Sequence, residues 1–172
     1  MPRRESAGIL LYAPDPDKPG RYRFLIGHMG GPFHKKKDDG HWTIPKGEPD
    51  AGEDPFLTAC RELEEETGLQ PIHPRNPIDL GEIRQKGGKW VRAWALPGRF
   101  LDPQPCHSNT FPMEWPPKSG RFIDVPELDR LLWADLETAQ AKLRPAQFPF
   151  IERLLDHLQS APGSPESPGK SE

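Results

Sequence analysis

Cysteine is scarce. The 172 residues hold two, Cys60 and Cys106, far apart and in no C-x-x-C arrangement. That excludes a thiolate metal centre of the usual spacing and the disulfide framework of a small secreted domain. A reducing cytoplasm is the expected compartment. Long apolar runs are missing too: nothing approaches the roughly 20 residues that cross a bilayer. The N-terminal stretch around Ala7–Tyr12 is too short for the apolar region of a signal peptide and reads as a strand. No membrane partner is therefore expected. Nor is there an excess of positive charge. Lys and Arg number 23 against 26 Asp and Glu, a net charge of −3. A nucleic-acid scaffold normally shows a basic face, so no stable nucleic-acid partner is expected.

Proline is abundant, with 23 residues gathered at turns and near the C-terminus. Between these turns the chain reads as strands over Ala7–Tyr12 and Tyr22–His28, joined by the turn Asp15–Gly20. A loop with Lys35, Lys36 and Lys37 follows, then a brief strand over His41–Pro45. Strands are expected over Ile78–Gln85 and Lys89–Leu96, around Lys86-Gly87-Gly88. Pro103–Gly120 reads as a long irregular stretch, Arg121–Val125 as a last strand, and Leu136–Leu143 and Phe150–Leu158 as closing helices. The length suits one domain, expected over 1–159, with 160–172 a disordered tail of low apolar content. Strands before and after one helix, with helices at the end, predict an α/β fold with a mixed sheet between helical layers.

The segment 47–69 is the most informative. Asp54-Pro55 marks a helix start, an N-cap aspartate before proline at the first helical position, and Gly68 a helix end. Phe56, Ala59, Cys60 and Leu63 form an apolar stripe, so Cys60 is expected to be packed. Glu62, Glu65 and Glu66 project together at helical spacing beside Arg61. Like charges so placed cost a helix about 0.2–0.5 kcal/mol per pair. Converging carboxylates make physical sense as a hard-cation site, because Mg²⁺ takes oxygen ligands and reaches substrate phosphates as well. A plain acidic amphipathic helix would instead interleave lysines.

The segment resembles the Nudix box, G-x5-E-x7-R-E-U-x-E-E-x-G-U, with U bulky and apolar. Gly47, Glu53, Arg61, Glu62, Leu63, Glu65, Glu66, Gly68 and Leu69 meet every fixed position. The resemblance implies a Nudix α/β/α sandwich and hydrolysis of a phosphoanhydride with Mg²⁺, Mn²⁺ also suiting oxygen ligands. It implies metal binding by Glu62, Glu65, Glu66 and the Gly47 carbonyl. It also implies that Arg61, which has no acceptor atom, pairs with Glu53 and braces the loop on the helix. Nudix proteins are often dimers, so a homodimer is admitted, although the sequence shows no interface.

Around the box, Lys46 is placed to meet a phosphate, and Lys36, within its lysine run, to guide a polyphosphate. The general base of the family is either a box glutamate or one on a downstream loop. Glu114, in FPMEWPP, is the candidate base, and Glu127, in VPELDRLLW, the candidate extra metal ligand. Trp42, Trp94, Phe111 and Trp115 are candidates to stack on a base, with Trp115 preferred for its place on the long loop. Asn109 or Ser108 is a candidate for a base edge.

The lead-in WTIPKGE is similar to that of Nudix hydrolases acting on long phosphate chains. The NADH, ADP-ribose and coenzyme A markers are absent or misplaced. Both tyrosines, Tyr12 and Tyr22, lie upstream of the box, whereas dinucleoside polyphosphate members often carry one downstream. The pattern is most like bacterial Nudix proteins described as nucleoside triphosphate pyrophosphohydrolases. The expected activity is metal-dependent water attack on phosphorus in a small nucleoside polyphosphate, releasing a nucleoside monophosphate. The alternative is a Nudix module that senses a nucleotide or nucleotide sugar without cleaving it. Modules of that kind tend to lose box glutamates, and this chain keeps them all.

Overall fold

Strict alternation over the first strand dictates the layering. In β1 (Glu5–Pro14), Ala7, Ile9, Leu11 and Ala13 turn to one side, and Leu10 and Tyr12 to the other. Period-two side chains lie on opposite faces of a sheet, so a strand apolar at both parities must be covered twice. The computed structural model, which describes residues 3–71, 75–100 and 109–160, shows this double cover. The elements that follow are β2 (Tyr22–Met29), β3 (Trp42–Thr43), β4 (Lys46–Gly47), α1 (Pro55–Thr67), β5 (Ile78–Arg84) and β6 (Trp90–Pro97). Then come β7 (Thr110–Glu114), β8 (Phe122–Pro126), β9 (Leu128–Ala134), α2 (Leu136–Lys142), a 3-10 turn at Pro145–Gln147, and α3 (Phe148–Ser160).

The main sheet runs β3-β2-β1-β6-β5, with β4 added to β1 and β9 to β2. β1 and β6 are parallel from Glu5↔Trp90 to Tyr12↔Pro97, and the other pairs are antiparallel. The helix α1 lies between β1 and β6 in sequence, as a parallel pair requires a long crossover. It covers one face through Ala59 and Leu63, over Ile9, Leu11, Leu25 and Leu96. Ala139 of α2 and Phe150, Ile151 and Leu154 of α3 cover the other, over Leu10, Phe24, Ile26 and Val91. The sheet is mixed and lies between helical layers, as expected. Among the described residues no helix is long and apolar enough to cross a membrane.

Three expectations need correction. Part of the irregular stretch is ordered as a hairpin of β7 and β8, registered from Thr110↔Pro126 to Glu114↔Phe122. Pro112 and Pro126 obscure it in the sequence, but proline is tolerated in edge strands, and both strands of a two-stranded sheet are edges. The strand expected over Arg121–Val125 therefore belongs to this hairpin, and it is not the last. That place goes to β9, which pairs with β2 from Phe24↔Ala134 to Met29↔Leu128. Its apolar residues Leu128, Leu131 and Leu132 carry helical spacing, which hides the strand. Lastly, α3 continues to Ser160, one residue into the expected tail. Residues 161–172, Cys106 and Ser108 lie outside the described residues.

Candidate active site

Local sequence builds the helix that bears the acids. The Asp54 carboxylate accepts from the Phe56 and Leu57 amides at 3.0 and 3.2 Å, Pro55 takes the first helical position, and Gly68 closes the end at φ 69°. These are the start and stop signals read from the sequence. Phe56 and Cys60 pack beside Ala59 and Leu63, and burial pushes the Cys60 thiol up.

Arg61 is the hub of the acidic face. Its guanidinium grips Glu53 with two nitrogens, Nε at 3.0 Å and Nη2 at 2.8 Å. Thr58 Oγ1 donates to the same carboxylate at 2.6 Å and the Asp50 amide at 3.2 Å. Arg61, with Thr58 second, holds the Glu53 carboxyl at about 2. The third guanidinium nitrogen donates to Glu62 and Glu65, both at 3.1 Å. Glu53 and Arg61 thus form a brace between the loop and α1, the arrangement that the resemblance implied.

The acids of the helix divide into two groups. Glu65 turns outward to Arg61 and accepts from Asn109 Nδ2 at 3.1 Å. Glu66 turns inward and is 2% exposed, where its Oε2 accepts the Lys46 amide at 3.2 Å. Glu62 lies against Gly47 so closely that a Cβ there would overlap its carboxyl. Gly8 works the same way from the other side: its added Cβ would stand 2.7 Å from the Pro45 oxygen, so only glycine lets β4 lie on β1. Burial above all, and then Glu62, raises the Glu66 carboxyl well above the usual range, against the pull of Lys46. Burial also raises Glu62, with the charges of Glu65 and Glu127 adding to it. The Lys46 ammonium is pushed down by burial first and by Lys89 next, against the attraction of Glu66 and Glu127.

Lys46, Glu66 and Glu127 line one cleft of 160 Å³ with Gly30, His34, Thr43, Phe111 and Leu128. Backbone bonds weld its walls. The Glu127 amide donates to the Asn109 carbonyl at 3.0 Å, and the Gly30 amide to the Glu127 carbonyl at 3.1 Å. Gln147, fully buried, accepts the Ile44 amide at 2.9 Å and donates to Gln85 at 2.8 Å, so the 3-10 turn fixes the strand leading to Lys46. A larger hollow of 350 Å³, lined in part by Tyr22, Leu136 and Leu155, contains no residue of the box.

Among the described residues no three acids or histidines already converge as a cation cage; Arg61 bonds both Glu62 and Glu65. The donor set nonetheless fits a hard cation. Two carboxylates with raised affinity for protons, a third acid in the cleft and a backbone carbonyl beside Glu62 all offer oxygen donors, and a cation would relieve the mutual charge of the carboxylates.

The structure gathers some of the residues chosen from sequence and separates others. Glu53, Arg61, Glu62, Glu65, Glu66, Gly47, Lys46 and Glu127 fall in or beside the cleft. Glu114 is carried to the turn end of β7, opposite Phe122, and does not line it. Trp115 and the exposed Lys36 do not line it either. Trp42 and Trp94 are core side chains, Trp42 donating Nε1–H to Asp38 at 2.7 Å. Phe111, the lesser choice among the aromatics, is the one at the cleft. Asn109 binds Glu65 through its amide. Sequence reading missed His34 and Gln147. No local motif marks either, since His34 lies in the lysine loop and Gln147 after Arg144-Pro145.

The chain is similar to known proteins in sequence and in fold. RNA pyrophosphohydrolase of Rhodospirillum rubrum is 31% identical over 170 residues, which cover 92% of this chain and 88% of that protein. The 8-oxo-(d)GTP phosphatase of Mycolicibacterium smegmatis is 27% identical over 133 residues, 76% of this chain but 33% of its own length. In fold, the chain is similar to the C. elegans Ap4A hydrolase binary complex, at a TM-score of 0.62 and 24% identity over 92% of this chain and 99% of that one. The NUDIX domain of Shewanella oneidensis NrtR, complexed with ADP ribose, gives a TM-score of 0.62 at 16% identity, over 92% and 90% of the two chains. The family model of the NUDIX domain matches residues 2–154, and with the complete box mounted on this sandwich, the chain belongs to the Nudix hydrolase family.

Proposed function

We propose that this cleft hydrolyses a phosphoanhydride bond of a nucleoside polyphosphate by water attack on phosphorus, releasing a nucleoside monophosphate. The observation that carries the reading is the buried Glu66 beside Lys46, with Glu62 pressed on Gly47 and Glu127 facing both. Glu62, Glu65, Glu66, the Gly47 carbonyl and Glu127 would hold Mg²⁺, with Mn²⁺ as a substitute of the same oxygen preference. Bound there, the cation would neutralise phosphate charge and acidify the attacking water.

The chain's own groups divide the work. Lys46, half-buried in the cleft wall, offers a cation to phosphate oxygens that are displacing water. Arg61 keeps Glu53 ionised and fixes the direction of Glu62 and Glu65. Asn109 ties Glu65 to the hairpin, so the helix and the Glu127 segment move as one wall. The proton acceptor belongs among the carboxylates of this cleft, because Glu114 stands outside it. The substrate is a small molecule or an end group with a run of phosphates, in keeping with the activities of the relatives and with Lys46 in the cleft wall.

The test is turnover with Mg²⁺ or Mn²⁺ of ATP, GTP, 8-oxo-dGTP, diadenosine tetraphosphate, ADP-ribose and a 5′-triphosphorylated RNA oligonucleotide, with products identified by mass. Cleavage of at least one, yielding a monophosphate and lost in chelator, is the expected result. A nucleotide that raises the melting temperature but never turns over would replace hydrolysis with sensing.

A further inference from the structure

The phosphate end of the cleft is accounted for by Lys46 and the acids. Its other wall is not. His34 and Phe111 line it, and they arrive from separate elements. His34 sits in the loop between β2 and β3. Phe111 projects from the hairpin face that also carries Met113 and Val125, since Phe111↔Val125 are paired and side chains two apart share a face. Val125 and Met113 are the side chains that a Cβ at Gly31 would meet, so this hairpin face looks onto the His34 loop. Phe111 keeps 37% of its surface exposed on a wall where Val125 is buried.

His34 is held by its surroundings. Its Nδ1 shares a proton with His41 Nδ1 at 2.9 Å, and its ring meets the edge of Phe33 at a centroid distance of 4.9 Å. The loop is pinned at the C-terminal end of the lysine run: His28 Nε2 to the Lys37 carbonyl at 2.6 Å, and Lys142 to Asp38 at 2.7 Å. Burial foremost, then the charges of His41, His28, Lys37 and Arg144, takes His34 down to about 4. Its ring is therefore neutral at pH 7. A neutral imidazole is a poor anchor for phosphate, which Lys46 already serves. It offers a flat face and one remaining ring nitrogen, Nε2, which suits an uncharged heteroaromatic partner.

We propose that His34 and Phe111 form the seat for the substrate's nucleobase, with Phe111 stacking on the ring, His34 hydrogen-bonding its edge through Nε2, and His41 acting as the positioning residue behind His34. This assignment rests on the nucleotide reading of the cleft. It replaces Trp115 as the base-stacking residue and gives the β7–β8 hairpin a double role. One strand carries recognition, while the base of the hairpin ties Glu65 and Glu127 together.

The test uses the full chain and two matched substrates, the best-cleaved nucleoside triphosphate and ribose 5-triphosphate, which has no base. Loss of base stacking is expected to raise the nucleotide KM of Phe111→Ala about 10-fold, with kcat held within about two-fold. The base-free substrate should be unaffected, and Phe111→Trp should restore the nucleotide KM. His34→Ala should raise the nucleotide KM and narrow the ranking among bases, and His41→Ala should do the same more weakly. An unchanged nucleotide KM in both Phe111→Ala and His34→Ala overturns the seat. So does an equal rise for the base-free substrate, which would mark a general disturbance of the cleft. If wild-type protein cleaves no nucleotide of the panel above, the hydrolase reading fails by itself. The seat is then judged on nucleotide affinity measured calorimetrically, which the same variants must weaken for it to stand.

Discussion

Helices α1 and α3 have the same length, 13 residues, and cover opposite faces of one sheet. What they bury differs. Phe150, Ile151 and Leu154 of α3 are fully apolar and fully covered. Arg153 of α3 adds hydrogen bonds to the Leu80 and Glu82 carbonyls of β5, at 2.8 and 3.0 Å. The buried positions of α1 are Thr58, Ala59, Leu63, Glu66 and Thr67. One helix commits its covered face to the hydrophobic effect. The other gives part of that face to a carboxylate whose burial opposes its own ionisation. The contrast teaches that α1 gives up part of the stability its buried face could contribute, while the cores on both faces of the sheet keep the scaffold folded.

The sharpest way to break this contrast is Glu66→Gln. It keeps the shape and removes the charge, so hydrolysis should fall about 1000-fold, the upper range for losing a group that stabilises transition-state charge. Without metal, the melting temperature of the same variant should rise at neutral pH. Steady-state kinetics and a thermal melt in chelator check the two halves. A variant that lost activity and stability together would contradict the opposition between function and stability in α1.

Leu154→Ala on α3 is the mirror experiment. Removing a fully buried leucine should cost about 3 kcal/mol, from lost transfer energy and the cavity left behind. Activity per folded molecule should be unchanged, because α3 touches only the far face. Denaturant unfolding and a titration of active sites separate these quantities. Loss of kcat in the folded fraction would show that the two faces are coupled.

The smallest effect is a difference in sign with pH, read without metal. Glu66 has a folded pKa raised above the unfolded one, so its contribution is complete below the ordinary glutamate range and is lost as pH rises through the raised value. Glu53, held at about 2, contributes above the ordinary range, and that contribution is lost as pH falls toward 2. Melting temperature should therefore decline on both sides. Glu66→Gln should flatten the alkaline decline alone, and Glu53→Gln the acid one alone. A profile in which Glu53→Gln flattened both limbs would refute this division of labour.

The legible parts of the molecule were those governed by neighbours in sequence. Asp54, Pro55 and Gly68 bound α1 because capping acts within a few residues, and the pairing of Arg61 with Glu53 followed from resemblance to a motif. β1 was readable as a short apolar run before a turn, β2 and β6 by their alternation, and β5 by the Lys86-Gly87-Gly88 turn that separates it from β6. β9 was not, since Leu128, Leu131 and Leu132 mimic helical spacing when both faces of a strand are partly covered. β7 and β8 were obscured by prolines that edge strands tolerate. Trp115 looked like the better stacking residue because it lies on the long stretch after β6. Register decided otherwise, placing Phe111 at the cleft and Glu114 at the opposite end of the same strand.

The sequence by itself determined that a capped helix with an acidic face would form, because spacing along a helix and capping are local, and the complete box on that helix carried the resemblance to the family. Only the tertiary structure decided which acid of that helix is buried. It also brought Glu127, His34 and Phe111 to the same cleft from three separate segments, with Gln147 holding the strand behind it through the Ile44 amide. Those placements depend on the parallel pairing of β1 with β6, on Gly8 and Gly47 admitting close backbones, and on hairpin register. These are contacts between residues far apart in the chain, whose energies no local pattern encodes.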